Sequence, residues 1–129
     1  MIRVVRLGTP RAHNEGVRLG TVRRPPRGVR KQDFGRLDYF DLWMPELAPS
    51  ERLMRWVHAE PLTDARWAAF AKRFRSEMKA PVAQHAIALL AAFSKTTNFS
   101  VGCYCENEAR CHRSLLRELL AGAGAALNL

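Results

Sequence analysis

The chain has 129 residues, of which 47% are apolar and 26% charged. That composition suits one soluble domain spanning residues 1–129 and argues against disorder. No apolar run approaches the ~20 residues of a membrane helix, and the basic opening segment lacks the apolar stretch of a secretion signal. Three cysteines, all between Cys103 and Cys111, are too few and too close for a disulfide framework. A cytoplasmic protein with no membrane partner is expected. The net charge is +9, and most of it lies early: residues 1–36 hold ten Arg or Lys against Glu15 and Asp33, an excess of eight. Nine of those ten cations are Arg, whose planar fork suits phosphate or carboxylate. The stretch therefore points to an anionic partner, a phosphate-bearing small molecule or a nucleic acid, or else to a basic surface that only keeps the protein in solution.

In chain order, Ile2 to Leu7 reads as a first strand and Arg18 to Val22 as a second, stopped by Pro25 and Pro26. Asp38 to Trp43 is rich in strand formers. Ser50 is placed to cap a helix reaching about His58, and Thr63 one reaching about Lys79. The Trp67, Phe70, Phe74 and Met78 stripe of the latter suits a core. Pro81 fits the first turn of a third helix with Ala83, Ile87 and Leu90 on one face. Thr97 to Cys105 alternates as a strand, and a polar loop then leads to a last helix from Cys111–Ser114 to Gly122. Strands mixed with helices predict an α/β domain, a small, mostly parallel sheet covered by helices.

The last strand, loop and helix start carry the residues with chemistry. Ligands of open α/β sheets sit beyond the carboxyl ends of strands, and a helix N-terminus offers free N–H groups to an anion. Here that place holds Cys103, Cys105, Glu106, Cys111, His112, Arg113 and Ser114. Three readings compete. In one, the turn binds an anion and Cys111 is a reactive thiol, its pKa lowered by the helix dipole and its basic neighbours. In the second, Cys103, Cys105, Cys111 and His112 bind zinc. In the third, the cysteines are core residues. Against zinc, Cys-x-Cys-x5-Cys-His is not a ribbon or knuckle spacing, and cysteines two apart on a strand are separated by ~6.6 Å; no bound metal is expected. No cofactor is expected either, because GxGxxG and P-loop patterns are absent. A phosphatase-type Cys-x5-Arg cradle is missed by one residue between Cys105 and Arg110.

These residues resemble a family, domain of unknown function 488, with features of its YeaO-like branch. DLWMPELAPS, Asp41 to Ser50, is similar to that branch, as is the spacing of Leu53, Arg55 and Trp56 with Trp67, Phe70 and Phe74. The tail resembles the main branch, in which Cys-x-Glu leads to Cys-His-Arg-Ser; here Cys105 (or Cys103), Glu106, Cys111, His112, Arg113 and Ser114 match. TVRRPPRG, Thr21 to Gly28, resembles the family's Asp-Val-Arg-x-x-Pro-x-Ser, with Thr21 in place of the acid and Gly28 in place of the Ser. The resemblance implies one pocket walled by Arg23 and Arg27 on one side and by Cys111, His112 and Arg113 on the other. If the protein is an enzyme, Cys111 is the expected nucleophile, with Cys105 second; Cys111 is also the thiol expected to label first, with Cys103 slower because it lies deeper in the strand. His112 is then the acid or base, and Glu106 orients it or meets a hydroxyl. Arg113 and Ser114 are expected at the ligand, with Arg113 pointing away from the leucine face of its helix.

Overall fold

A computed structural model describes residues 1–128. Four strands, Ile2–Arg6 (β1), Val17–Gly20 (β2), Leu42–Trp43 (β3) and Phe99–Cys103 (β4), form a parallel sheet in the order β1-β4-β2-β3. Four helices, Glu51–His58 (α1), Asp64–Glu77 (α2), Pro81–Phe93 (α3) and His112–Gly122 (α4), complete the α/β fold. The strands are shorter than their sequence patterns. β2 ends at Gly20, β3 keeps only Leu42 and Trp43, and β4 stops at Cys103, so Cys105 lies beyond the sheet. Side-chain alternation does not register where ladder pairing stops, which is what sets these ends.

The helices start where their caps dictate. Ser50 Oγ accepts the Leu53 N–H and Thr63 Oγ1 accepts the Arg66 N–H, each relieving one orphan donor of a first turn. Leu53, Val57, Phe70, Phe74, Ile87, Leu90, Leu115, Leu116 and Leu120 gather with Ile2, Leu19, Phe99 and Val101 in one cluster, so all four helices cover one face of the sheet. None is long and apolar enough to cross a membrane.

The other face is built differently. Gly20 and Gly102 stand on it. A Cβ on Gly20 would meet the Phe40 ring at 2.3 Å, and one on Gly102 would meet Leu7 at 2.6 Å. Their bare backbones let Leu7, Val22, Phe34, Tyr39 and Phe40 pack as a second, smaller cluster with Cys103 and Cys111. Beside it Arg18, fully buried, donates from Nε and Nη2 to both oxygens of Glu15 at 2.7 and 2.9 Å. Its Nη1 donates to the carbonyls of Thr9 and Asp38. Burial pushes the Glu15 carboxyl up, but the Arg18 fork, the Ser100 hydroxyl and the Ala12 N–H outweigh it and bring it down to about 2. Two loops are thereby tied to the sheet through one buried ion pair.

That pair makes stability depend on pH. The Glu15 pKa is depressed, so its contribution is present above the ordinary carboxylate range and is lost as pH falls from about 4.5 to about 2. Glu15→Gln is expected to cost about 3 kcal/mol at pH 7, with the gap to wild type closing through that window. Chemical denaturation of both proteins between pH 7 and pH 2 measures it, and a gap that stays constant with pH contradicts the assignment.

Candidate functional site

β2 and β4 lie side by side at the centre of the sheet, and their carboxyl ends open into a cavity of about 1050 Å³. One wall is the segment after β2, Val22 to Arg27. The opposite wall is α1, through Glu51, Met54, Arg55 and His58. The end of β4 supplies Cys103, Tyr104 and Cys105, and α4 supplies His112. The position agrees with the rule for open α/β sheets.

The wall after β2 is held firmly. Arg23 donates to the carbonyls of Pro49, Pro45 and Ala48. Trp43 Nε1 donates to the Val22 carbonyl at 2.7 Å, and the Tyr104 hydroxyl donates to the Arg24 carbonyl at 2.9 Å. Arg24 pairs with Glu51. Arg27 and Arg55, both exposed, make no ion pair among the described residues. Four Arg (23, 24, 27 and 55) face one carboxylate, Glu51, so the cavity is net positive.

At the head of α4, His112 is buried and its Nε2–H donates to the Thr21 carbonyl at 2.6 Å. A carbonyl can only accept, so the proton is on Nε2 and Nδ1 carries the free lone pair. Burial lowers the His112 pKa against the opposing effect of that hydrogen bond, which keeps the ring neutral at pH 7. Nδ1 lies 3.9 Å from Cys111 Sγ. Cys111 is the N-cap of α4, its sulfur accepting the Arg113 N–H at 3.5 Å. Cys103 Sγ lies 3.7 Å from Cys105 Sγ and donates to it.

The three thiols differ. Cys105 is exposed, whereas Cys103 and Cys111 are 6% and 2% exposed. Contacts with Cys103 and Cys111 lower the Cys105 pKa, burial works against them, and the positive field of Arg113 adds to the lowering. The hydrogen bond to Cys105 raises Cys103. Cys111 is lowered by Cys103 but raised more by Cys105 and burial together, to about 11. Of the three, Cys105 is the exposed thiol and the one pushed towards the thiolate, whereas Cys111, the expected nucleophile, is buried: capping a helix buries a sulfur as well as polarising it.

The remaining residues singled out from sequence divide. Arg23, Arg27, Cys105 and His112 line the cavity. Glu106 does not; its exposed carboxylate stands 3.8 Å from Arg6. Ser114 Oγ donates to the Cys111 carbonyl within the first turn of α4. Arg113 is buried instead of pointing outward, and its Nη2 donates to the Cys105 carbonyl at 2.6 Å. A helical wheel places Arg113 opposite the leucines, but the loop from Tyr104 to Arg110 folds over that side. The ~6.6 Å separation of strand neighbours does not apply to Cys103 and Cys105, because Cys105 lies past the strand end and its sulfur turns back to Cys103. α1 contributes a wall that the sequence motifs do not mark. Its signal is Glu51, Met54 or Arg55, and His58 at helical spacing on the side away from Leu53 and Val57.

In reduced, chelator-treated protein, one thiol, Cys105, is expected to react rapidly with iodoacetamide at pH 7, and Cys103 and Cys111 only on unfolding. Peptide mapping after timed alkylation tests this; Cys111 modified before Cys105 contradicts it.

The family model DUF488-N3a, described as the active DUF488-N3 subclade, matches residues 2–124. An uncharacterised protein of Mycobacterium bovis is 32% identical over 124 residues, covering 94% of each chain. Uncharacterised proteins from two strains of Mycobacterium tuberculosis match to the same extent. No solved structure matches the chain.

Proposed function

The chain belongs to the DUF488 family, and we propose that it binds a small anionic ligand, bearing phosphate or carboxylate, in the cavity at the ends of β2 and β4 and presents the Cys105 thiolate to it. The observation that carries this reading is that Arg27 and Arg55, with no carboxylate of their own, face the same cavity as the exposed, acidified Cys105. Arg24 supplies a third guanidinium, shared with Glu51. Such forks recognise phosphate and carboxylate with directional hydrogen bonds. His112 Nδ1 is the neutral base nearest the sulfurs, and Cys105 is the group with nucleophilic character.

A nucleic-acid partner for the basic N-terminal stretch is the alternative. The fate of its cations favours a small ligand. Arg18 is consumed by Glu15 in the interior. Arg11 is held by Asp38 and Asp41, and Arg30 and Arg36 both flank Asp33. Arg23, Arg24 and Arg27 concentrate on the cavity. These pairings leave fewer free cations for the continuous phosphate-tracking stripe that backbone binding requires.

The reading is tested with two alkylating agents of like size on metal-free protein. Iodoacetate, an anion, is expected to modify Cys105 about tenfold faster relative to iodoacetamide than it does a free thiol, as a positive cleft concentrates anions. The preference should shrink with added salt and fall towards that of the free thiol in Arg27→Ala. An unchanged preference in that variant, or none in wild type, refutes recruitment by the cavity.

A further inference from the structure

The sulfurs beneath the cavity form a unit of which the anion-binding reading uses only Cys105. Cys103 Sγ, Cys111 Sγ and a ring nitrogen of His112 lie within 4.8 Å of one another, all on buried residues. Cys105 Sγ, at the edge of that group, lies 3.7 Å from Cys103 Sγ, and Cys111 Sγ stands 3.9 Å from Nδ1. Around a tetrahedral zinc ion, with Zn–S ≈ 2.3 Å and Zn–N ≈ 2.0–2.1 Å, neighbouring donor atoms are roughly 3.5–3.8 Å apart. The two donor–donor distances nearly match this before any adjustment. We propose that Cys103, Cys105, Cys111 and His112 Nδ1 form a tetrahedral site for zinc, with Cys105 as the ligand open to the cavity.

Two further features fit a metal better than a packed cluster. The first is the His112 hydrogen bond. A metal-bound imidazole characteristically donates its other N–H to a carbonyl or carboxylate, and His112 Nε2–H donates to the Thr21 carbonyl. That bond leaves only Nδ1 to face the sulfurs. The second is Arg113. It is 4% exposed, has no carboxylate partner among the described residues, and its Nε has no hydrogen-bond acceptor. A buried guanidinium with an unsatisfied N–H and no carboxylate beside it is costly, and the Cys105 sulfur is the acidic group nearest at hand. Zinc with three thiolates and a neutral imidazole carries a charge of −1, which the adjoining guanidinium neutralises. The ring of Phe74, 5.6 Å from that of His112, closes the apolar side. With Cys103, Cys111 and His112 buried and Cys105 exposed, the centre opens towards the cavity. The proposal stands apart from anion recruitment, which concerns the guanidinium wall above it.

The test uses full-length, reduced, chelator-treated protein with cobalt as the probe. One Co²⁺ per chain should bind, with thiolate-to-metal charge-transfer bands and the intense ligand-field absorption of a tetrahedral site, and zinc should displace it. Zinc should also slow iodoacetamide modification of Cys105 at least tenfold. Because Cys111→Ser could fail to fold, the variant is Cys105→Ser, whose side chain is exposed. Loss of an outer partner of a metal costs 10–100-fold in affinity, so loss of this ligand should cost about a hundredfold or more, with the melting of the metal-free protein unchanged. Absence of the charge-transfer bands, equal cobalt affinity in Cys105→Ser, or undiminished alkylation in zinc overturns the proposal. Iodoacetate preference, measured without metal, is independent of all three results, so failure of the metal site and failure of the anion cavity are told apart.

Discussion

One hydrogen bond organises the candidate site: His112 Nε2–H to the Thr21 carbonyl. It joins the first residue of α4 to the residue that follows β2, across 91 positions of sequence. A buried carbonyl at a strand end needs a donor, and a buried imidazole needs somewhere to place its proton. Each satisfies the other. The consequence is directional, because the proton on Nε2 turns the lone pair of Nδ1 towards Cys111. The same docking sets the N-cap of α4 beside the end of β4, where Cys103 and Cys105 stand. Nothing local to the Cys-His-Arg-Ser run would do this without the strand.

The two faces of the sheet divide the work of holding that junction still. On the helical face, leucines of α4 and phenylalanines of α2 seat the helix on Phe99 and Val101. On the other face, glycines replace side chains so that Leu7 and Phe40 approach closely, and the Arg18–Glu15 pair fixes the loops they come from. Cys103 and Cys111 belong to this second cluster, whereas Cys105, just beyond β4, is exposed. The buried sulfurs are thus held by packing and the exposed one by a loop, itself tied down by Arg113 at the Cys105 carbonyl.

The fold was largely legible from the residues. Ser50 and Thr63 cap as their chemistry suggests, Pro81 opens α3, and the parallel α/β class follows from the alternation of elements. The letters of the candidate site were legible too, but their arrangement was not. Which thiol is exposed depends on β4 ending at Cys103, a matter of ladder pairing. Arg113 disappears into the protein because a loop folds over it, which a helical wheel does not represent. Arg18 gives the clearest lesson. In a basic stretch it counts as surface charge, yet Glu15, three residues earlier, makes it part of the interior. The α1 wall, with Arg55 and His58, depends on how a helix sits over the strand ends, and spacing within α1 alone leaves that open.

The tautomer of His112 tests the arrangement most directly. Long-range ¹H–¹⁵N correlation on ¹⁵N-labelled, metal-free protein distinguishes a protonated from an unprotonated ring nitrogen. The expected spectrum has Nε2 protonated and Nδ1 bare, and it stays so across the range around pH 6.5 where an ordinary histidine titrates, because burial holds the His112 pKa down. A proton on Nδ1, or an imidazolium appearing near pH 6.5, would mean that the lone pair does not face the sulfurs, and would contradict the site as built here.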